Sequence, residues 1–342
     1  MLLSCLFAGH ALAQGWTTTK IHGAVGLFSV WGSSAHNVYV NGFGLVVNDL
    51  GLIAGAGVEI LRFNGLFWNT DSYNSNLGVP LHMWGSSATD IFMVGGRGRA
   101  RDVFHPLIPT FSYPFVTRYN GLWRSPSYWN PLDKGSLNNI WGSSSKDVFA
   151  VGYGSAGGAQ IIHFDGKTWS PMPVTGAVLF GVWGSSGTDV FAVGANGTIV
   201  HYDGTSWSEM NIGSSTEFFN DIWGSSGNDV FAVGCNMDYP DNMTSHILHY
   251  NGESWSQMEI PSSGQLHALW GSSSSDVYAV GDEGAILHYN GASWSAIEAE
   301  PNADFSDVWG SSGTDVYVVG TVLKHGGRQN STGLIMHYGG GM

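Results

Sequence analysis

The tetrapeptide Trp-Gly-Ser-Ser occurs seven times, opening at Trp31, Trp84, Trp141, Trp183, Trp223, Trp270 and Trp309, with successive copies 39 to 57 residues apart. A unit recurring at that period cannot bury its apolar surface alone and must stack on copies of itself. The cleanest copy runs from residue 182 (VWGSSGTDVFAVGANGTIVHYDGTSWSEM). It divides into four short strands: one ending at Trp183, then 189–194, 198–202 and 205–210. A polar turn at 185–189 and an Asp203-Gly204 hairpin punctuate them. Second strands such as VFAVG are apolar on both faces, as a strand between two neighbouring sheets must be. Fourth strands such as TSWSEM are mixed, which blunts an outer edge. Seven such units predict an all-β fold, a seven-bladed β-propeller with four strands per blade.

Tryptophan counting tests closure. Beside the seven of Trp-Gly-Ser-Ser, six follow the hairpins: Trp68, Trp123, Trp169, Trp207, Trp255 and Trp294. The seventh copy stops at Met342 without one, and Trp16 near the other end supplies it. The N-terminal strand is therefore expected to complete the last blade and latch the ring, which removes two sheet edges together.

Composition narrows the partners. Gly makes up 50 of 342 residues and charged residues only 11 %, too few for long solvated helices, while 43 % hydrophobic residues suffice for a large core. A net charge of −14 opposes binding to phosphate backbones and excludes nucleic acid. No run approaches the ~18 apolar residues of a membrane-spanning helix. Residues 1–13 (MLLSCLFAGHALA) read as a secretory signal peptide ending in Ala-Leu-Ala, with a start truncated before its basic leader. Lipidation at Cys5 is the alternative. Residues 14–342 then form one propeller domain, extracellular, periplasmic or at the cell surface, with Cys235 as its one thiol.

The repeated polar residues read as scaffold. Asp90, Asp147, Asp189, Asp229, Asp276 and Asp315, with Asn37 in the first copy, are spread around the ring and cannot converge on one substrate. A backbone-capping role in the turn fits them. His163, His201, His249, His288 and His337 share a position with Arg62 and Arg118. Arginine neither ligates metals nor shuttles protons at neutral pH, so the common property is a planar donor, expected to bridge to a neighbouring blade. No metal, cofactor or catalytic residue is expected.

Function should sit where the copies differ. The turns after Trp-Gly-Ser and at the Asp/Asn-Gly hairpins keep their length, and both lie on one rim. On the other rim, copies four and six join second to third strand through three residues, whereas copies one, two, five and seven insert about 42–57, 95–114, 235–245 and 321–333. Trp129 fits neither tryptophan series and lies beside Tyr128 in the crossing 125–139. The blade-two insertion adds Phe104, His105, Phe111, Tyr113 and Phe115, aromatics suited to stacking on sugars or anchoring a protein. Packing under the long loop is the competing account. Arg97, Arg99 and Arg101 with Lys324, His325 and Arg328 add a cationic patch suited to a carboxylate or sulfate ligand, unless local acids such as Asp102 neutralise it.

The unit W-G-S-S…D-V-F-A-V-G…G-x-I-x-H-Y-D-G-x-x-W resembles the repeats of secreted bacterial propellers. It is also similar to Asp-box propellers, among them the photosystem II assembly-factor type and sialidases, and to bacterial fucose-binding propeller lectins. The resemblance spans residues 15–342 and implies the fold without singling out an activity. His201-Tyr202-Asp203-Gly204 lacks the serine and the spacer of the Asp-box, and the three arginines and acid/base of a sialidase have no counterpart. The expected function is a non-catalytic binding propeller recognising a glycan, anionic sugars favoured, through the variable rim. The alternatives are a protein-binding or assembly scaffold at the cell envelope, and a polysaccharide hydrolase or lyase.

Overall fold

The computed structural model describes residues 10–11, 15–21, 24–47, 53–72, 78–97, 113–121, 127–128, 135–155, 157–212, 217–236, 244–322 and 331–339. They form seven antiparallel sheets, each built from consecutive strands, arranged as a propeller. Blade four shows the pattern: Leu179–Ser186, Asp189–Gly194, Ile199–Tyr202 and Trp207–Glu209, from the axis outward. First strands of successive blades pack side by side around the axis, and the first strand of blade seven closes on that of blade one.

The expected latch is present. Trp16–Ile21 pairs with Thr332–Tyr338 in register from Trp16 opposite Tyr338 to Ile21 opposite Gly333, completing blade seven. His10–Ala11 adds two residues outside it, opposite Thr18 and Thr17.

The core lies between blades, because both faces of each second strand are buried; in blade four Val190, Phe191, Ala192 and Val193 are at most 1 % exposed. Fourth-strand indoles seal the gaps by standing edge-on to the second-strand aromatic of the preceding blade, as Trp207 does to Phe149 at 6.3 Å and Trp294 to Phe231 at 6.4 Å.

The Trp-Gly dipeptide has an equally physical cause. The indole of each Trp-Gly-Ser-Ser lies on the glycine of the next copy: Trp141 on Gly184, Trp183 on Gly224, and so round to Trp309 on Gly32. A Cβ at any of the seven glycines would fall 2.5 to 2.8 Å from that indole. The glycine ending each second strand faces a first-strand carbonyl, as Gly194 faces Val178, where a bulge between Leu179 and Gly181 pushes that backbone inward.

Blade two departs from expectation. Its fourth strand is Ser127–Tyr128, opposite Val116 and Phe115, whereas Trp123 lies outside the described residues. Its hairpin is one residue shorter than in blade four, Tyr119 to Trp123 against Tyr202 to Trp207, so the register of the series is not kept.

Candidate binding face

On the rim of constant turns the four letters of the motif have separate jobs. Ser185 Oγ donates to Asp189 Oδ2, and Ser186 Oγ accepts the Thr188 backbone N–H at 3.3 Å, capping the turn. The capping role expected of the aspartate thus belongs to the second serine. The other oxygen, Asp189 Oδ1, lies 2.6 Å from His201 Nε2. Blades three, five, six and seven repeat the pair at 2.6 to 2.7 Å. Each imidazole also lies over the second-strand aromatic, 4.3 Å between rings for Phe191 and His201.

These histidines bridge within their own blade rather than to a neighbour. Register sets His201 opposite Phe191, which puts its ring beside the Asp189 that begins the same strand. Arg118 takes both roles in blade two, donating from Nε to Asp90 Oδ1 at 2.5 Å with its guanidinium 4.5 Å over Phe92. It alone continues outward, from Nη2 to the Ser145 carbonyl of blade three at 3.4 Å. Closed Ser–Asp–His clasps thus tie second to third strand in blades three to seven.

The opposite rim varies in its backbone. Blades four and six turn back directly after Gly194 and Gly281, through Asn196 at φ 55° and Glu283 at φ 59°. Elsewhere the ladder runs on. It reaches Val47 opposite Ile53 in blade one, Arg97 opposite Tyr113 in blade two, Cys235 opposite Ser245 in blade five and Val322 opposite Thr332 in blade seven. Most of the insertion expected as a loop over 42–57 is therefore β-hairpin. At ~3.4 Å per residue its five residues past Gly42 carry it about 17 Å beyond the level where blade four turns. Blades three and five extend by a single pair, at Tyr153 and Cys235, whereas the longer extensions belong to blades seven, one and two, which are consecutive and form one sector.

Of the candidate contact residues, Arg97 and Tyr113 are brought opposite one another in the blade-two hairpin, and Tyr113 is 45 % exposed. Tyr128 belongs to the outer strand of blade two, opposite Phe115, and not to the crossing loop where it was expected. Phe115 is fully buried beneath Gly78, so it packs rather than presents. Arg99, Arg101, His105, Phe111, Trp129, Lys324 and Arg328 lie outside the described residues. Across the ring, Phe180 and Phe218 pack with tilted rings 4.6 Å apart on the same rim, both half-buried. His267 is tied to Asp282 at 2.8 Å.

A polar ring near the axis went unread in the sequence. Two residues before each Trp-Gly stand Ser29, His82, Asn139, Gly181, Asp221, Ala268 and Asp307. These side chains clasp one blade to the next: Asp221 Oδ2 accepts the Leu269 N–H at 2.9 Å, Asp307 Oδ2 the Val30 N–H at 2.8 Å, and Ser29 Oγ the Met83 N–H at 3.3 Å. Asn139 Nδ2 reaches Asp221 Oδ1 across blade four at 3.3 Å, over the space that Gly181 leaves. Burial raises the carboxyl of Asp221 to about 8 and that of Asp307 to about 7, and lowers His82 to about 4. The signal available was a polar residue at a position where copies four and six carry only glycine or alanine. Among the described residues no group of His, Cys, Asp and Glu could hold a metal ion.

No protein-family model matches the chain, and no curated protein sequence matches it. Solved structures do. A structure described as YCF48 bound to D1 peptide superposes with a TM-score of 0.63 at 15 % identity, covering 97 % of this chain and 100 % of that one. The WD40 β-propeller domain of Doa1 gives 0.64 at 10 % identity, over 94 % and 97 %. YCF48 from Cyanidioschyzon merolae gives 0.60 at 10 %, over 97 % and 98 %. At these identities the likeness shows the propeller fold. No helix among the described residues is long and apolar enough to cross a membrane.

Proposed function

We propose that this chain is a non-catalytic propeller that binds an extended segment of a partner protein on its variable rim, in the sector of blades seven, one and two. One observation carries the reading. The seven units share their clasps and turns on one rim, while on the other the hairpins of three consecutive blades extend the ladder beyond the point where blade four turns back. Extended hairpins offer backbone edges and alternating side chains, the elements by which proteins take up a peptide as an added strand. Among the described residues, the pairing of third with fourth strand in blade one ends at Glu59 opposite Ser72. The solved propeller bound to D1 peptide gives the same partner class for a chain of the same fold. The candidate residues in this sector, from Arg97 to Trp129, suit a peptide as well as the glycan that the sequence first suggested.

Peptides selected on the intact chain from a displayed random library, followed by affinity titration, test this. Replacing residues 43–58 with the Ala195-Asn196-Gly197 turn of blade four, which closes the same ladder there, should abolish binding without unfolding the ring. Unchanged binding in that variant, or selection of glycans and no peptides in a parallel array, would overturn the reading.

A further inference from the structure

Blade one breaks the repeat on the constant rim as well, at one place. Its clasp has neutral Asn37 where the other six have aspartate, and Arg62 where five have histidine. At the hairpin tip, where blades three to six carry Lys167-Thr168, Thr205-Ser206, Glu253-Ser254 and Ala292-Ser293, it carries Leu66-Phe67. These side chains are 82 % and 53 % exposed. The tip is fixed, because Asn64 Oδ1 accepts both the Leu66 and the Phe67 N–H, at 3.0 and 3.1 Å. Two adjacent large apolar groups held rigidly in water are an interaction feature rather than scattered surface.

The charge beside them is uncompensated. Arg62 Nε donates to the amide oxygen of Asn37 at 3.0 Å, and among the described residues no carboxylate pairs with it, in contrast to Arg118 on Asp90. The Ala88 carbonyl, equivalent to the one Arg118 reaches in its next blade, is occupied by the Tyr39 hydroxyl at 3.1 Å. Among the described residues the Arg62 guanidinium has no acceptor besides the Asn37 amide oxygen. Lys146 and Lys167 of blade three are exposed on the same rim, and the same positions in blades four to seven carry no lysine or arginine. In a chain of net charge −14 these cations lie on blades one to three of the constant rim, with the apolar tip at the blade-one end of that arc.

We propose that this sector is a second docking site, for an acidic protein segment bearing a large apolar side chain. The apolar group packs on Leu66 and Phe67, and a carboxylate takes the edge of Arg62 in the paired geometry that guanidinium favours. A side-chain carboxylate suits better than a lipid surface. Arg62 lies at the base of the hairpin, behind the tip, and a headgroup plane would meet Leu66 first.

The repeat supplies variants that fold elsewhere in the same ring. L66T/F67S installs the tip of blade four, and N37D/R62H its clasp. Short synthetic peptides alternating leucine with glutamate, or leucine with lysine, are titrated by fluorescence anisotropy against the full chain. Binding of the Leu/Glu peptide, weakened about tenfold in each variant and absent for Leu/Lys, supports the site. The variable-rim variant lacking residues 43–58 should bind it unchanged, which separates this site from the function proposed above. Equal binding of both peptides, no loss in either variant, or preferential binding of phosphatidylserine vesicles overturns the proposal. So does self-association in sedimentation that L66T/F67S abolishes, which would make a second copy the occupant.

Discussion

Replacing Trp16 with alanine tests whether a strand from one chain end holds the other end in place. Trp16 is 1 % exposed, packed 5.3 Å from Tyr338 and buried with Tyr278, Val280 and Met336. Removing about 200 Å² of indole contact at ~25 cal/mol/Å² gives an upper bound near 5 kcal/mol. Buried aromatic-to-alanine changes measure about 3–5 kcal/mol. For a chain of this length that shifts the thermal midpoint by about 4–8 °C if unfolding is cooperative. Trp207 is the control: it is half-buried, and its own hairpin ties its strand to the blade. Differential scanning calorimetry of Trp16→Ala, Trp207→Ala and a chain starting at residue 24 should rank the truncation as most damaging and Trp207→Ala as least. A Trp16→Ala midpoint within a degree of the parent would refute the latch.

Three further outcomes follow from the geometry. Gly184→Ala puts a methyl 2.8 Å from Trp141 and should lower stability by about 1–3 kcal/mol in urea titration, whereas Gly154→Ala, whose new Cβ meets nothing closer than Gln160 Oε1 at 3.8 Å, should show no overpacking loss. His201→Arg should retain most of the stability that His201→Leu loses, because Arg118 already performs the same two contacts in blade two. Asp221 and Asp307 bind protons more tightly in the folded than in the unfolded chain. The folded ring therefore keeps protons that the unfolded chain has released above pH ~4, and stability falls as pH rises from about 4 to about 8. The slope is at most about 1.4 kcal/mol per pH unit for each carboxyl. Asp221→Asn, which can still accept the Leu269 N–H, should flatten that slope and raise stability at pH 8.

Much of this architecture was legible because the repeat encodes it redundantly. Seven Trp-Gly pairs, six Val-Gly strand ends and a second tryptophan series that reaches seven only with Trp16 all specify one ring. The clasp was half legible: the exchange of His for Arg identified a shared planar donor, and the strand division put Asp189 and His201 at adjoining ends of one hairpin, but the donor was expected to bridge to a neighbouring blade instead of to that aspartate. The axial carboxyls escaped because Asp221 and Asp307 occur in only two copies, at a position the bulge turns toward the next blade. Blade-two aromatics were legible as insertion residues, yet Phe115 and Tyr128 proved to be strand residues, since a longer ladder absorbs what reads as loop. The exposed Leu66-Phe67 tip was overlooked on the rim whose constant length suggested scaffold alone.

The most direct test of where this propeller binds is hydrogen–deuterium exchange on the intact chain with and without a selected peptide. Slowed exchange confined to residues 43–47, 53–58 and 113–116 of the raised hairpins is the predicted result. Protection of the Trp-Gly-Ser-Ser turns instead, with those hairpins unchanged, would contradict the assignment of function to the variable rim.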